Sequence, residues 1–191
     1  MNKNIESIMA PASTAVVGAT NRRGSVGLAV FRNILDAGYQ GVLYPVNPKA
    51  RSIQGVKAYP SLAEVPDDID QAVIIVPAEA VPPTLEQAAA KGVKGCVIIT
   101  AGFKEVGGRG VELENKVQQI SAEHGLRIVG PNCLGIINTN PAVSLNASFA
   151  RITPRLGNIA FVSQSGALCT AALDVAAGRN IGFSKFISFG N

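Results

Sequence analysis

The chain has 191 residues, of which 47% are hydrophobic, 16% charged and 5% aromatic, with no Trp and a formal net charge of +4. Such a composition buries a sizeable core and excludes a disordered chain, and so few aromatics argue against a single-stranded nucleic-acid binder, which needs stacking platforms. The mild positive excess is spread along the chain and favours an anionic small ligand, with no nucleic acid as partner.

The opening residues, MNKNIESIMAPAS, lack the apolar core of a signal peptide, and no apolar run approaches membrane-spanning length. A soluble, cytoplasmic protein with no membrane partner is expected. A strand is predicted over residues 14–17 and a helix over 27–37. Between them runs Gly18-Ala-Thr-Asn-Arg-Arg-Gly24-Ser-Val-Gly27. Glycines between a strand and a helix let backbone amides approach a pyrophosphate, and the helix N-terminus adds a positive dipole. The spacing is not the dinucleotide G-x-G-x-x-G, because the loop is longer and carries Arg22 and Arg23.

The second predicted strand, 42–46, leads into Asn47-Pro48-Lys49, with Arg51 close behind. A NAD site usually places an acid about 20 residues past its glycine loop to hold the ribose hydroxyls. A lysine instead suits a phosphorylated ribose, which NADPH and coenzyme A both carry. Charge alone does not choose between them, and a solvated basic turn would read the same in isolation.

A weaker helical turn at 61–65 precedes strands at 72–76, 95–99 and 127–129, which alternate with helices at 83–91 and 110–124. That order implies a Rossmann-like, doubly wound parallel sheet with helices on both faces. The strand-end segments VVGAT, VIIVPA, CVIITAGF, RIVGPNCLG and AFVSQSG then gather at the carboxyl edge, where open α/β sheets bind ligands. Between Asn138 and Pro154 the pattern gives way to residues rich in Asn, Ser, Thr and Pro. A strand at 158–162, a helix at 166–179 and a strand at 183–188 follow. One β-α-β unit cannot bury both faces of its sheet, so it should pack on the first domain or belong to a longer chain. The expected division is 1–145 and 146–191.

Taken together, VVGATNRRGSVG, YPVNPK, VIIVPA, ITAGFKEVG, HGLRIVGPNCLGIIN, LNASFA, NIAFVSQSGAL and GFSKFISFGN resemble the NDP-forming acyl-CoA synthetase family, relatives of the succinyl-CoA synthetase α subunit. The resemblance spans essentially the whole chain, and GPNCLG and SQSG are its most specific carriers. It implies a CoA-binding domain, then the start of a flavodoxin-like ligase domain. Gly18, Ala19, Thr20, Arg23, Ser25 and Val26 would cradle the CoA phosphates, and Asn47, Pro48 and Lys49 would hold the adenosine end. Val76, Pro77 and Ala78 would line the adenine and pantetheine path. Thr100, Ala101 and Gly102, with Asn132 and Cys133, would flank the thiol. Ser163, Ser165 and Gly166 would open a helix facing a phosphorylated histidine.

The complete enzyme of such a family converts acyl-CoA, ADP and phosphate to carboxylate, CoA and ATP. ADP or ATP and Mg²⁺ would belong only to that complete enzyme, with C-terminal domains or an ATP-grasp β subunit as partners, and an oligomer is left open. The chain alone would bind CoA or acyl-CoA without catalysing. Similar segments also occur fused to a lysine acetyltransferase, where they would serve as an acyl-CoA sensor. An NADP-binding Rossmann oxidoreductase is the third reading, and the glycine spacing counts against it.

Several residues invite a catalytic role. His124, the single histidine, falls at a helix end before Gly125 and reads as structural, since the family's phosphohistidine lies in a later domain. Cys133 sits in a strand-end loop with no histidine base nearby and reads as packing and positioning. Lys104 and Glu105 either steer an acyl phosphate or are simply solvated. Cys96 and Cys169 read as small buried hydrophobes, and the three scattered cysteines give neither a disulfide framework nor a zinc site.

Overall fold

The computed structural model describes residues 3–191, so Met1, where the first domain was expected to begin, lies outside the described residues. Helix α1 (Lys3–Met9) precedes strand β1 (Ser13–Val17), helix α2 (Val26–Asp36) and strand β2 (Val42–Val46). A short hairpin, β3 (Ser52–Ile53) and β4 (Val56–Lys57), leads to β5 (Gln71–Ile74), α3 (Val81–Ala90), β6 (Gly95–Ile98), α4 (Arg109–His124) and β7 (Arg127–Val129). Then come β8 (Gly135–Asn138), β9 (Leu145–Ser148), β10 (Leu156–Ser163), α5 (Gly166–Gly178) and β11 (Phe183–Ser188).

The first sheet has five parallel strands in the order β2-β1-β5-β6-β7. Its central strands are short runs of small and branched residues buried at every position, as a parallel sheet covered on both faces requires. Side chains alternate between the faces. Ala15, Ala72, Ile74 and Ile98 join Leu85 of α3 and Val117 of α4 in one cluster. Val16, Val73 and Val97 join Val30, Phe31 and Ile34 of α2 in another. The chain runs outward from β1 in both directions, to β2 on one side and to β5 on the other. That reversal opens a crevice beyond the carboxyl ends of β1 and β5.

The second sheet is mixed, in the order β10-β11-β8-β9. β10 and β11 are parallel, whereas β8 pairs antiparallel with both β11 and β9. Residues 135–148 thus contain a hairpin where sequence suggested a boundary region. Its strands, GIIN and LNAS, are too short and too polar to register as strands by pattern, and they are held by pairing of β8 with β11 and of β9 with β8. Ile136, Leu145 and Ala147 of this hairpin belong to the same buried cluster as Phe31, so β9 packs on α2. The β10-α5-β11 unit is fastened to the first sheet through this hairpin. On the other face, Cys169, Leu173 and Ala176 of α5 cover Leu134, Ile137, Phe183 and Phe186. The Phe161 and Phe186 rings stack there at 4.7 Å. No helix among the described residues is long and apolar enough to cross a membrane.

Candidate functional site

The glycine loop is shaped by close backbone approach. Gly18 has φ +95°, and a Cβ there would lie 2.1 Å from the Ile75 carbonyl oxygen, so only glycine lets the end of β1 lie against the end of β5. A Cβ on Gly27 would meet the Gly18 oxygen at 2.3 Å, which brings the start of α2 onto the same turn. Ser25 caps α2: its hydroxyl accepts from the Leu28 amide at 3.3 Å and donates to the Arg22 oxygen at 2.7 Å. Thr20 accepts from the Arg22 amide at 3.2 Å, and Ala19 is buried beneath the loop. Arg22, Arg23 and Gly24 are exposed, and among the described residues the amides of Asn21, Arg23 and Gly24 have no protein acceptor. These are the properties of an anion-binding turn at a helix N-terminus.

The turn after β2 is tied to this loop by Asn47, whose side-chain nitrogen donates to the Ala19 oxygen at 2.7 Å and whose oxygen accepts from the Lys49 amide at 2.8 Å. Both ends of the Asn47 amide are thus engaged by the protein, while Pro48 and Lys49 are exposed. Sequence reasoning missed Asn21, which donates to the Ser52 oxygen at 2.9 Å and accepts from the Gln54 amide at 3.0 Å. It joins the β3–β4 hairpin to the glycine loop. An asparagine in a glycine-rich turn is the one signal that pointed to it.

Beyond β5, Val76 and Ala78 are half-buried and Pro77 is exposed. The Thr100 hydroxyl donates to the Val76 oxygen at 2.7 Å, and the Asn132 amide donates to the Thr100 oxygen at 2.9 Å. These bonds bind the strand-end loops of β5, β6 and β7 side by side. Gly102 lies next in that row, with its amide donated to the Glu105 carboxylate at 2.5 Å.

A cleft of about 470 Å³ lies where these loops meet α5. Of the residues expected in the site, Val26, Thr100, Ala101, Asn132, Cys133 and Gly166 line it. The other predicted residues do not line it. Gly18, Ala19, Thr20, Arg23 and Ser25, then Asn47, Pro48 and Lys49, occupy the ends of β1 and β2 along the same edge. Sequence reasoning did not single out Ile75, Ile99, Leu134, Phe149 or Thr170, which also line the cleft. Four of these five are plain hydrophobes, and nothing local distinguishes such residues from core. At the α5 end, the Ser165 hydroxyl accepts from the Leu168 amide at 3.2 Å, and the Ser163 hydroxyl accepts from the Ser165 amide at 3.1 Å. Both serines shape the helix start, leaving the Gly166 and Ala167 amides for an anion.

Cys133 lines the cleft, where its thiol donates to the Ile98 oxygen at 3.3 Å and burial pushes its pKa up to about 12. Burial does the same to Cys96, also to about 12, and raises Cys169. Lys104 pairs with the buried Glu114 at 3.2 Å. Burial pushes the Glu105 carboxyl upward, but hydrogen bonds from Asn191 and from the Gly102 and Phe103 amides outweigh it and hold the group below its ordinary value. Neither residue of that pair is simply solvated. His124 lies outside the cleft, at the end of α4, where its Nε2 meets Glu86 of α3 at 3.1 Å.

Comparison with known proteins fits this layout. Residues 12–139 match the CoA binding domain family, and residues 156–191 match the succinyl-CoA ligase like flavodoxin domain. The chain is 51% identical, over 95% of its length, to the acetate–CoA ligase [ADP-forming] of Methanocaldococcus jannaschii. It is 47% identical, again over 95% of its length, to the acetate–CoA ligase [ADP-forming] II subunit alpha of Pyrococcus furiosus. It spans only 25% of the first protein and 39% of the second. The dinucleotide forming acetyl-coenzyme A synthetase 1 of Ca. Korarchaeum cryptofilum superposes with a TM-score of 0.92 at 41% identity, covering 98% of this chain and 40% of that one. With its CoA binding domain followed by a succinyl-CoA ligase like segment, the chain belongs to the NDP-forming acyl-CoA synthetase family.

Proposed function

We propose that this chain binds coenzyme A along the carboxyl edge of its first sheet and presents the thioester end to the N-terminus of α5. It would do so as part of an ADP-forming acyl-CoA ligase of the acetate–CoA type. The observation that carries this reading is the single cleft whose walls come both from the strand-end loops of β5, β6 and β7 and from the start of α5. A thioester carbonyl needs a restricted site, and the phosphoryl group exchanged with it needs an anion-stabilising helix end beside it.

In this reading the glycine-loop amides and Arg23 hold the pyrophosphate, and Lys49 holds the 3′-phosphate. Asn47 acts by keeping the Lys49 turn against the loop. Val76, Pro77 and Ala78 carry the pantetheine towards Thr100, Ala101, Gly102, Asn132 and Cys133. The whole reaction, acyl-CoA with ADP and phosphate giving carboxylate, CoA and ATP, needs a histidine and a nucleotide site from other domains or an ATP-grasp β subunit. Mg²⁺ would accompany that nucleotide. We assign residues 1–145 to the CoA-binding part and 146–191 to the ligase part, with the β8–β9 hairpin bridging them. Three buried free thiols suit the cytoplasm.

Titration calorimetry with CoA and dephospho-CoA tests this. CoA should bind about tenfold more tightly, in keeping with one charge-assisted contact, and Lys49→Ala should erase the difference. No heat with CoA sinks the reading, and equal affinity in the native chain removes Lys49 from the site.

A further inference from the structure

Among the described residues, none that lines the cleft carries a charge. Its apolar walls are Val26, Ile75, Ile99, Leu134 and Phe149. Two of its polar groups are already engaged, the Thr100 hydroxyl with the Val76 oxygen at 2.7 Å and the Thr170 hydroxyl with the Gly166 oxygen at 3.0 Å. The cleft thus combines one anion-favouring corner, at the start of α5, with an otherwise uncharged interior.

Phe149 differs from the other walls. Its residue is 36% exposed, although Ser148 before it and Ala150 after it are buried. Its backbone is nevertheless fixed. The Phe149 amide donates to the Leu134 oxygen at 3.3 Å, and the side-chain amide of Asn33, on α2, donates to both the Ser148 and Ala150 oxygens at 2.8 Å. Helix α2 therefore clamps the chain on either side of a ring that borders the cleft instead of filling the core. A large hydrophobe on a backbone held in that way is a wall for whatever enters.

We propose that Phe149 sets the length of the acyl group that the cleft accepts. This inference rests on the reading that the cleft receives the thioester end of CoA. An acyl chain ending in a second carboxylate would lose its hydration among these walls with no cation to pair with, and the α5 amides serve the reacting end. A short chain lies against the ring, whereas a longer one must displace it.

The test is calorimetric titration of the 191-residue chain with CoA, acetyl-CoA, hexanoyl-CoA and succinyl-CoA, repeated for Phe149→Ala and Phe149→Leu. In the native chain, acetyl-CoA should bind about tenfold more tightly than either of the other thioesters. Phe149→Ala should bring hexanoyl-CoA to within about twofold of acetyl-CoA while succinyl-CoA stays weak, with Phe149→Leu in between. The exposed ring leaves the thermal midpoint as a check that the variants fold. Native affinities equal for all the thioesters, or a hexanoyl-CoA gap that survives Phe149→Ala, overturn the proposal while CoA binding stands. Absence of CoA binding itself overturns the underlying reading and this inference with it.

Discussion

Strands β1 and β10, one in each sheet, are both apolar runs, yet they are buried very differently. Every residue of β1 is buried, because it has a hydrogen-bonded neighbour on each side and helices against both faces. β10 is the longer strand, but it forms the edge of its sheet, with β11 as its single strand neighbour among the described residues. Leu156, Ile159 and Val162 on it are exposed, Val162 by 58%. An apolar run therefore announces a strand without saying what covers it. The central strands of the first sheet are covered on both faces, whereas the β10 edge of the second is exposed.

The comparison is tested most severely at Phe31. This fully buried ring shares one cluster with Val16 and Val73 of the first sheet and with Leu145 and Ala147 of the hairpin. Phe31→Ala should cost about 3–5 kcal/mol of stability, read from urea unfolding. Loss from both regions should appear as one shifted transition. Two separate transitions would show that the sheets fold independently. A milder pair of changes sharpens the contrast. Ile74→Val removes a methylene from the closed core and should cost about 1 kcal/mol, whereas Ile159→Val on the exposed β10 should stay within about 0.5 kcal/mol. Equal costs would mean that β10 is covered in solution.

The smallest expected effect is a pH dependence at Glu105, where the two regions meet through Asn191. Its folded-state pKa is depressed below the ordinary 4.5, so the unfolded chain binds its proton first. Its contribution is present above that value and fades as pH falls through the folded pKa. Glu105→Gln should therefore flatten the acid side of the stability curve while leaving its slope near neutrality unchanged. An unaltered acid limb would show that the Gly102 and Phe103 contacts do not favour the ionised form.

Much of the first region was legible residue by residue. The strands through Val16, Val73 and Val97 were found from their branched runs, and the α2 start from the glycines and Ser25 before it. The turns after β1, β5 and β6 were legible because glycine, proline or polar residues follow each apolar run directly in the sequence. The hairpin at 135–148 was not legible, since Ile136 and Leu145 gain their partners from β11 and α2, which are distant in sequence. Phe149 escaped for the same reason: its position depends on Asn33, more than a hundred residues earlier.

By itself, the sequence determined the parallel sheet, its ligand edge and the departure of its glycine loop from the NAD fingerprint. Local spacing and strand–turn–helix order suffice for these. Tertiary structure alone decided that the start of α5 meets the loops after β5, β6 and β7 in one cleft. It also decided that Asn47 ties the turn after β2 to the Ala19 oxygen, and that an aromatic ring stands at the cleft wall. Each of these depends on hydrogen bonds and packing between segments far apart in the chain, and no local pattern records them.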